Sequence, residues 1–328
     1  MRMVIDKFEV LTDKKLEKNL KIVLISDVHI SHNAILRNDK NIKDTLNGAL
    51  KIRDVDFFVL CGDFINDTHD WKNKKVIQTF EDFLKKLGEK APVFVTRGNH
   101  DLIFHNKKNE EVFQEFGKLE NVFIFEDTQK DFLGVNLTAF CPSKHSYDLR
   151  KHGKTAQKLA VSDFLARNFK FDEKKFNLFI THSPYSMTNK YALKAIPEFF
   201  EKCDVILSGH LHNGLIFSRN FDSISKKINQ FDDKKGVKGF LARNADFGFW
   251  VDPKTGFMAS KCRGGKFVGD GKIGRSFLPC SKTYTKIDLT KEPGKTLQII
   301  SKGVNKYAAI PVFVGKPSVV ELKITQKN

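Results

Sequence analysis

Short apolar runs recur along the first two thirds of the chain, and polar residues follow each run directly. The runs are five or six residues long and rich in β-branched and aromatic side chains, which favours buried strands. They cover residues 21–26, 56–61, 92–96, 176–181 and 204–208. The carboxyl ends of parallel strands meet at one edge of an open α/β sheet, where ligands bind. We therefore expect the polar residues that follow these five strands to lie together.

Amphipathic helices are predicted between the first three of these strands. Apolar residues over 42–50 recur with the spacing of one helix face, and a second apolar face is predicted over about 72–88. Two shorter helices are predicted over 155–168 and 191–202. Strands that alternate with helices predict parallel neighbours joined by right-handed crossovers.

Further strands are predicted near both ends of the chain. Residues 3–10 alternate weakly and indicate an outer strand. The remaining apolar segments cover residues 121–125, 135–140, 282–289, 296–301, 312–314 and 318–324. The last four have no helices between them, which indicates a meander. We therefore predict an α/β fold, a four-layer αββα sandwich of two mixed β-sheets flanked by helices, with the site at the strand C-terminal ends.

The apolar residues in 215–280 recur with neither the period of a helix nor the period of a strand. This segment combines many glycines and lysines with scattered aromatic residues. We interpret it as an irregular insertion beside the site, either a lid, a substrate platform, an interaction surface or a surface loop without a specific role. Because the chain contains no internal repeat and no low-complexity linker, we predict a single domain over 1–328 that carries this insertion.

Composition excludes several classes of protein. A chain of 328 residues with 41% hydrophobic and 12% aromatic residues is globular rather than disordered. No apolar run approaches the roughly 18 residues of a membrane-spanning helix, and acidic residues interrupt the N-terminus where a signal peptide is apolar. The five cysteines are widely spaced without a CxxC pair, which indicates buried, reduced thiols. We therefore expect a cytoplasmic protein.

The formal net charge of +17 raises the question of an anionic partner. Only 10 of the 56 basic residues are arginine, the residue that phosphate and base recognition favours. Lysine spread along the whole chain is more typical of solvated faces. We therefore do not expect nucleic acid as a partner, but the positive field would attract an anionic substrate and is compatible with peripheral contact with an anionic membrane.

The polar residues after the five strands form a set that suits metal ions. The set consists of Asp27, His29, Asp63, Asn99, His182, His210 and His212. Carboxylate, imidazole and amide groups without thiolate suit manganese, iron, cobalt or zinc. Seven ligands exceed one tetrahedral site but fit two ions that share a bridging carboxylate. Two such ions can activate a bridging hydroxide and bind both the entering and the leaving oxygen of a phosphoryl transfer. Taken singly, each of these residues could instead cap a strand end.

The order of these motifs resembles the calcineurin-like metallophosphoesterase family over about residues 20–214. The matching motifs are Asp27-Val28-His29, Gly62-Asp63, Gly98-Asn99-His100-Asp101, His182 and Gly209-His210-Leu211-His212. A looser resemblance links the chain to the bacterial UDP-2,3-diacylglucosamine hydrolase-like branch. The family resemblance implies one metal ion bound by Asp27, His29, Asp63 and His212, and a second bound by Asp63, Asn99, His182 and His210. It also implies that His100 contacts the scissile phosphate or protonates the leaving oxygen, with Asp101 orienting the His100 ring.

The expected activity is metal-dependent hydrolysis of a phosphomonoester, phosphodiester or pyrophosphate bond by a metal-bridging hydroxide. The cofactors would be two divalent ions, manganese foremost, with iron, zinc or cobalt as alternatives. The substrate would be a phosphorylated small molecule, a nucleotide or a lipid-linked phosphate. Two alternatives stay open, a non-catalytic metal-binding scaffold and a nuclease. Arg97, beside the central motif, has two interpretations, a contact to substrate phosphate or a salt bridge.

Overall fold

The protein is described by a computed structural model. It covers residues 4–36, 40–103, 107–147, 149–187, 190–210, 248–252, 257–262, 265–266, 284–291, 293–294, 296–301, 303–304 and 318–327. Within these residues, no helix is both long enough and apolar enough to cross a membrane.

The described residues form strands that belong to two sheets. The strands are β1 Val4–Thr12, β2 Leu20–Ile25, β3 Phe57–Cys61, β4 Val93–Thr96, β5 Val122–Ile124, β6 Thr128–Phe132, β7 Val135–Ala139, β8 Phe176–Ile180, β9 Val205–Ser208, β10 Gly248–Asp252, β11 Phe257–Cys262, β12 Gly265–Lys266, β13 Tyr284–Asp288, β14 Thr296–Ile300 and β15 Ser318–Gln326. One sheet has the order β13-β1-β15-β2-β3-β4-β5, and the other has the order β12-β11-β10-β14-β9-β8-β7-β6. Both sheets are mixed, because β2 pairs antiparallel to β15 and β7 pairs antiparallel to β6, whereas the strands that precede the polar loops pair in parallel.

The helices connect the parallel strands. They are α1 His32–Leu36, α2 Lys40–Lys51, α3 Thr68–Trp71, α4 Lys74–Gly88, α5 Asn99–Ile103, α6 Lys107–Phe116, α7 Leu149–Arg167, α8 Pro184–Met187, α9 Lys190–Ala195 and α10 Pro197–Lys202, with 3₁₀ turns at Lys144–Tyr147 and Leu289–Lys291. The predicted helix over 191–202 is two helices instead. Pro197 begins the second one, because a proline nitrogen has no hydrogen to continue the first.

The four predicted layers are confirmed by three separate apolar clusters. The first lies between the sheets and joins Ile22 and Val59 of one sheet to Leu137 and Leu207 of the other. The second joins the outer face of the first sheet to α2, α4 and α6. The third joins the outer face of the second sheet to α7 and α10. Each sheet is therefore buried on both faces, which explains why its strands are continuous apolar runs.

Two predictions about the terminal strands are wrong. β1 is not an outer strand, because it pairs in parallel with both β13 and β15. The strands β13, β14 and β15 are not a meander, since β14 joins the second sheet while its two neighbours in sequence flank β1. Consecutive apolar segments do not reveal which sheet each one joins. The predicted strand over 312–314 lies outside the described residues.

Part of the segment interpreted as an irregular insertion is regular. β10 pairs antiparallel with β14, and β11 and β12 extend the same sheet outward. Its many glycines and lysines hid these strands from pattern analysis. The rest of the segment lies outside the described residues, and the assignment of the whole chain to one domain stays a prediction.

Candidate metal centre

The predicted site residues follow strands that are adjacent in each sheet. Asp27 and His29 come after β2, Asp63 comes after β3, and Asn99 begins the helix after β4. His182 and His210 follow the paired strands β8 and β9 of the other sheet.

Backbone hydrogen bonds link neighbouring loops at this edge. The amide of Asp27 donates to the Gly62 carbonyl at 3.0 Å, and the amide of Gly209 donates to the His182 carbonyl at 2.9 Å. Between the sheets, the His210 amide donates to the Asp27 carboxylate, so both sheets deliver side chains to one place.

Four of the predicted ligands have left-handed backbone. The φ angles are 53° at Asp27, 46° at His29, 57° at Asp63 and 71° at His210. Residues other than glycine seldom adopt this conformation, which costs roughly 1–3 kcal/mol at each position and is common at functional sites. The turns redirect each of these side chains just after its strand ends.

The motif glycines allow the loops to approach each other closely. A Cβ atom on Gly98 would lie 2.3 Å from Asp63 Oδ1 and 2.8 Å from His182 Cε1. A Cβ on Gly209 would lie 2.6 Å from Asp27 Oδ2. Any side chain at either position would displace a predicted metal ligand, which explains why glycine precedes the polar residue in these motifs.

Asp63 belongs to two compact groups of potential ligands. Ligand atoms of Asp63, His182 and His210 lie within 4.8 Å of one another, and so do ligand atoms of His29, Asp63 and His100. The Asp63 Oδ2 atom is 3.2 Å from His182 Nε2 and 3.7 Å from His29 Nε2. A carboxylate, an imidazole and a neighbouring amide oxygen are donors that fit divalent ions of the manganese-to-zinc series.

The remaining predicted ligands differ in position. Asn99 Oδ1 lies 3.2 Å from His182 Nε2, next to the group of Asp63, His182 and His210. Asp27 is fully buried, and its carboxylate accepts a hydrogen bond from the His210 amide at 3.0–3.1 Å, outside both compact groups. His212 lies outside the described residues.

Backbone carbonyls orient two of the histidine rings. His182 Nδ1 lies 2.7 Å from the Cys61 carbonyl, and His100 Nδ1 lies 2.6 Å from the Asn66 carbonyl. A carbonyl oxygen can only accept, so each Nδ1 carries the hydrogen and each Nε2 of the neutral ring offers a lone pair. The structure thus places His100, which the resemblance sets outside the metal ions, among the potential ligands.

Asp101 makes backbone contacts that the motifs did not predict, and its role in orienting the His100 ring stays a prediction. The Asp101 carboxylate accepts from the amides of Asp63 at 2.7 Å, Gly98 at 2.9 Å and Phe64 at 3.3 Å. The side chain is 2% exposed. Asp101 lies in the first turn of α5, from which its carboxylate reaches these amides. It therefore joins the loops after β3 and β4 and fixes the backbone of Asp63.

Burial and neighbouring charges shift the pKa values of Asp63 and His182 in opposite directions. Burial would raise the pKa of Asp63, but His182 and His29 hold it well below its usual range. Burial lowers the pKa of His182, but the Asp63 carboxylate outweighs this and raises it to about 9. Burial, with the charge of Asp63, raises the pKa of Asp101 to about 7. His182 must therefore lose a tightly held proton before Nε2 can bind a metal ion.

Arg97 forms salt bridges. Its guanidinium binds Glu126 through two nitrogens, lies 2.5 Å from Glu110 and packs over the Phe113 ring at 4.8 Å. The Arg97 amide also donates to Glu126 at 2.6 Å. Arg97 thus ties the end of β4 to α6 and to the loop after β5, which settles its two interpretations in favour of the salt bridge.

Tyr147 is a neighbour of the site that the sequence patterns missed. Its ring centroid lies 6.1 Å from that of His182 and 6.1 Å from that of His210. Burial raises the pKa of its hydroxyl well above the usual value. No motif surrounds Tyr147, so only the three-dimensional structure brings it to the centre.

Comparisons with known proteins agree with this geometry. A family model described as calcineurin-like phosphoesterase matches residues 20–214. The chain is 26% identical over 202 residues to an uncharacterised metallophosphoesterase of Campylobacter jejuni, covering 62% of this chain and 46% of that protein. It is 23% identical over 250 residues to a subunit of the nuclease SbcCD from Staphylococcus saprophyticus, covering 67% of this chain and 64% of that protein.

The chain thus spans about half to two thirds of the length of these relatives. Among solved structures, a cold-active protein tyrosine phosphatase aligns with 84% of this chain and 83% of its own, at 13% identity and a TM-score of 0.26. A TM-score this low does not indicate a shared fold.

Proposed function

Because the chain belongs to the calcineurin-like phosphoesterase family, we propose that it is a hydrolase that cleaves phosphoric ester bonds with two bound divalent metal ions. The observation that carries this proposal is the position of Asp63, whose carboxylate belongs to both compact groups of potential ligands. A single carboxylate shared by two sets of imidazoles suits a bridged pair of ions.

The proposed ligands divide between the two ions as the sequence motifs suggest. Asp27, His29, Asp63 and His212 would bind one ion, and Asp63, Asn99, His182 and His210 would bind the other. When bound, such ions activate water as a nucleophile and neutralise charge on the phosphoryl oxygens. The 3.2 Å separation of His182 and Asp63 and the adjacent Asn99 oxygen support the second set. We name manganese as the first metal to test, with iron, zinc and cobalt as alternatives.

The proposed role of His100 is to donate a proton to the leaving oxygen. Its Nδ1 hydrogen is donated to the Asn66 carbonyl, so a proton transferred to the leaving oxygen would come from Nε2 of the ring in its doubly protonated form. His100 also lies within ligand distance of His29 and Asp63. The variant His100→Gln separates the two roles, because loss of a proton donor leaves two metal ions bound, whereas loss of a ligand reduces the metal content.

The test of the proposed function is metal-dependent turnover of activated esters. Metal-stripped protein is refilled with Mn²⁺ or Zn²⁺ and assayed with bis-p-nitrophenyl phosphate and p-nitrophenyl phosphate. We expect turnover that requires the metal and is abolished in Asp63→Asn. Full activity of Asp63→Asn, or two bound ions without turnover of either ester, would contradict the proposal, and the second result would indicate a metal-binding scaffold.

The natural bond and substrate belong to the same proposal. The proposed metal centre suits monoesters, diesters and pyrophosphates alike, and the ratio of the two test activities distinguishes a preference for monoesters from a preference for diesters. A phosphorylated small molecule, a nucleotide or a lipid-linked phosphate is the proposed substrate class. The formal net charge of +17 supports an anionic substrate of this kind.

A second candidate function is hydrolysis of nucleic acid. It is favoured by the relative named as a nuclease subunit and by the basic composition. A nuclease would cleave plasmid DNA in the presence of Mn²⁺ and bind DNA with an affinity that falls steeply with salt. Turnover of small esters without either property would exclude this candidate.

A further inference from the structure

One tyrosine lies against the proposed metal centre but belongs to none of its motifs. Tyr147 ends the 3₁₀ turn Lys144–Tyr147, which packs against α5 and α7. Its ring is tilted by 56° to the His182 ring and by 53° to the His210 ring. Tyr147 therefore contacts the half of the centre that contains His182 and His210.

The Tyr147 hydroxyl has no hydrogen-bond partner among the residues that the structure describes. Its oxygen is buried, although the residue as a whole keeps partial exposure to solvent. A buried tyrosine hydroxyl normally finds a partner, because an unsatisfied polar group costs stability. We therefore expect the Tyr147 hydroxyl to form its hydrogen bond with a group that lies outside the described residues, such as a bound ligand.

Backbone hydrogen bonds hold the segment that precedes Tyr147 in place. The Ser143 amide donates to Asp163 Oδ2 of α7 at 3.1 Å, and the Ser146 amide donates to the Ser143 carbonyl at 2.9 Å. These bonds fix the 3₁₀ turn before the tyrosine. The hydroxyl is therefore positioned by the fold before any ligand binds, which lowers the entropic cost of a contact to that ligand.

We propose that the Tyr147 hydroxyl donates a hydrogen bond to a non-bridging phosphoryl oxygen of the substrate, making Tyr147 a substrate-binding residue. This inference rests on the proposed function. A phenol is a neutral donor, and a phosphoryl oxygen is a strong anionic acceptor. In the proposed centre the lone pairs of His182 and His210 would bind metal ions and could not accept a hydrogen bond from the hydroxyl. An oxygen of the substrate would then be the acceptor.

The test compares Tyr147→Phe with Tyr191→Phe, an exposed tyrosine on α9 whose ring lies beside Lys158. Manganese content, the Tm of the metal-free protein, calorimetric binding of inorganic phosphate and kcat/KM for p-nitrophenyl and phenyl esters are measured for both variants. We expect Tyr147→Phe to keep two manganese ions and a Tm at or above that of the wild type. Its affinity for phosphate should fall roughly 10-fold to 100-fold, and kcat/KM should fall by a similar factor for both esters.

Each of the following results would overturn the inference. Unchanged phosphate affinity would show that the hydroxyl does not contact the phosphoryl group, and a lower Tm or lost manganese would show a structural role. A larger loss for the phenyl ester than for the p-nitrophenyl ester would place the contact at the leaving oxygen instead. If the wild type neither binds phosphate nor hydrolyses esters, both the proposed function and this inference fail. If the wild type does both and Tyr147→Phe has the same phosphate affinity and kcat/KM, only this inference fails.

Discussion

Replacing Asp101 by asparagine distinguishes two roles of this carboxylate, support of the backbone around Asp63 and orientation of the His100 ring. The carboxylate accepts three backbone hydrogen bonds, two of them at 2.7 Å and 2.9 Å, from the loops that contain Asp63 and Gly98. An asparagine side chain has one acceptor oxygen, so in Asp101→Asn its NH₂ group would face at least one backbone N–H. The amides of Asp63 and Gly98 both donate to Oδ2, so the amide oxygen of an asparagine can accept these two bonds. We therefore expect the loss of the longer bond from Phe64 and a weakening of the other two, because their acceptor becomes neutral.

The magnitude follows from these contacts. Hydrogen bonds to charged groups contribute roughly 1.5–3 kcal/mol each, and removal of a residue that orients a ligand typically weakens metal binding about 10-fold to 100-fold. Burial raises the pKa of Asp101 to about 7, so the ionised carboxylate costs stability as the pH rises through 7, and at pH 8 this cost offsets its hydrogen bonds. We predict that Asp101→Asn weakens manganese binding about 10-fold to 100-fold, and that its stability relative to the wild type rises between pH 5 and pH 8.

The assay is urea unfolding of metal-free protein at pH 5 and at pH 8, followed by manganese titration. Asp131→Asn is the matched control, because Asp131 is an exposed partner of Lys175 and its loss should change stability by less than about 1 kcal/mol. An Asp101→Asn protein with wild-type manganese affinity but reduced kcat would contradict this prediction. That result would favour a role for Asp101 in orienting the His100 ring.

Three further substitutions test other parts of the structure. Gly98→Ala places a Cβ 2.3 Å from Asp63 Oδ1, so manganese content and activity should both fall, as metal analysis and ester hydrolysis will show. Arg97→Lys loses the two-nitrogen contact with Glu126 and should lower Tm in a thermal melt, by an amount equivalent to roughly 1–3 kcal/mol. Burial raises the pKa of Asp204 to about 6 from 3.8, so its contribution to stability is greatest below pH 4 and is lost as pH rises through 6. Relative to Asp204→Asn, wild-type stability in urea should therefore fall by roughly 3 kcal/mol between pH 4 and pH 7, and parallel pH profiles would contradict this.

The sequence predicted the parts of the fold that depend on local pattern. The five runs before the polar loops are strands, and the apolar face over 72–88 is α4 Lys74–Gly88, because these elements are buried against neighbours on a regular period. β6 was missed, since it is an edge strand whose residues are mostly exposed or half-buried and do not alternate. The neighbours of β1 were also missed, because pairing partners more than 270 residues away leave no local signal.

At the site too, the sequence predicted what depends on local motifs and missed what depends on packing. Each motif places its residues at the end of a strand, and the structure brings Asp63, His182 and His210 together as the order of motifs suggests. The contacts of Asp101 could not be predicted, because a carboxylate beside a histidine has backbone amides as well as the ring within reach. Tyr147 could not be predicted either, since its approach to the histidines depends on how the turn after β7 packs against α7.

The most direct test of the central claim is the magnetic coupling of bound manganese. If Asp63 bridges two ions, they lie about 3.5–4 Å apart, and metal-refilled wild-type protein should bind two Mn²⁺ per chain with the electron paramagnetic resonance spectrum of an exchange-coupled pair. Asp63→Asn should lose the coupling together with ester hydrolysis. A spectrum of isolated Mn²⁺ in the active wild type, or a coupled pair that persists in Asp63→Asn, would contradict the account.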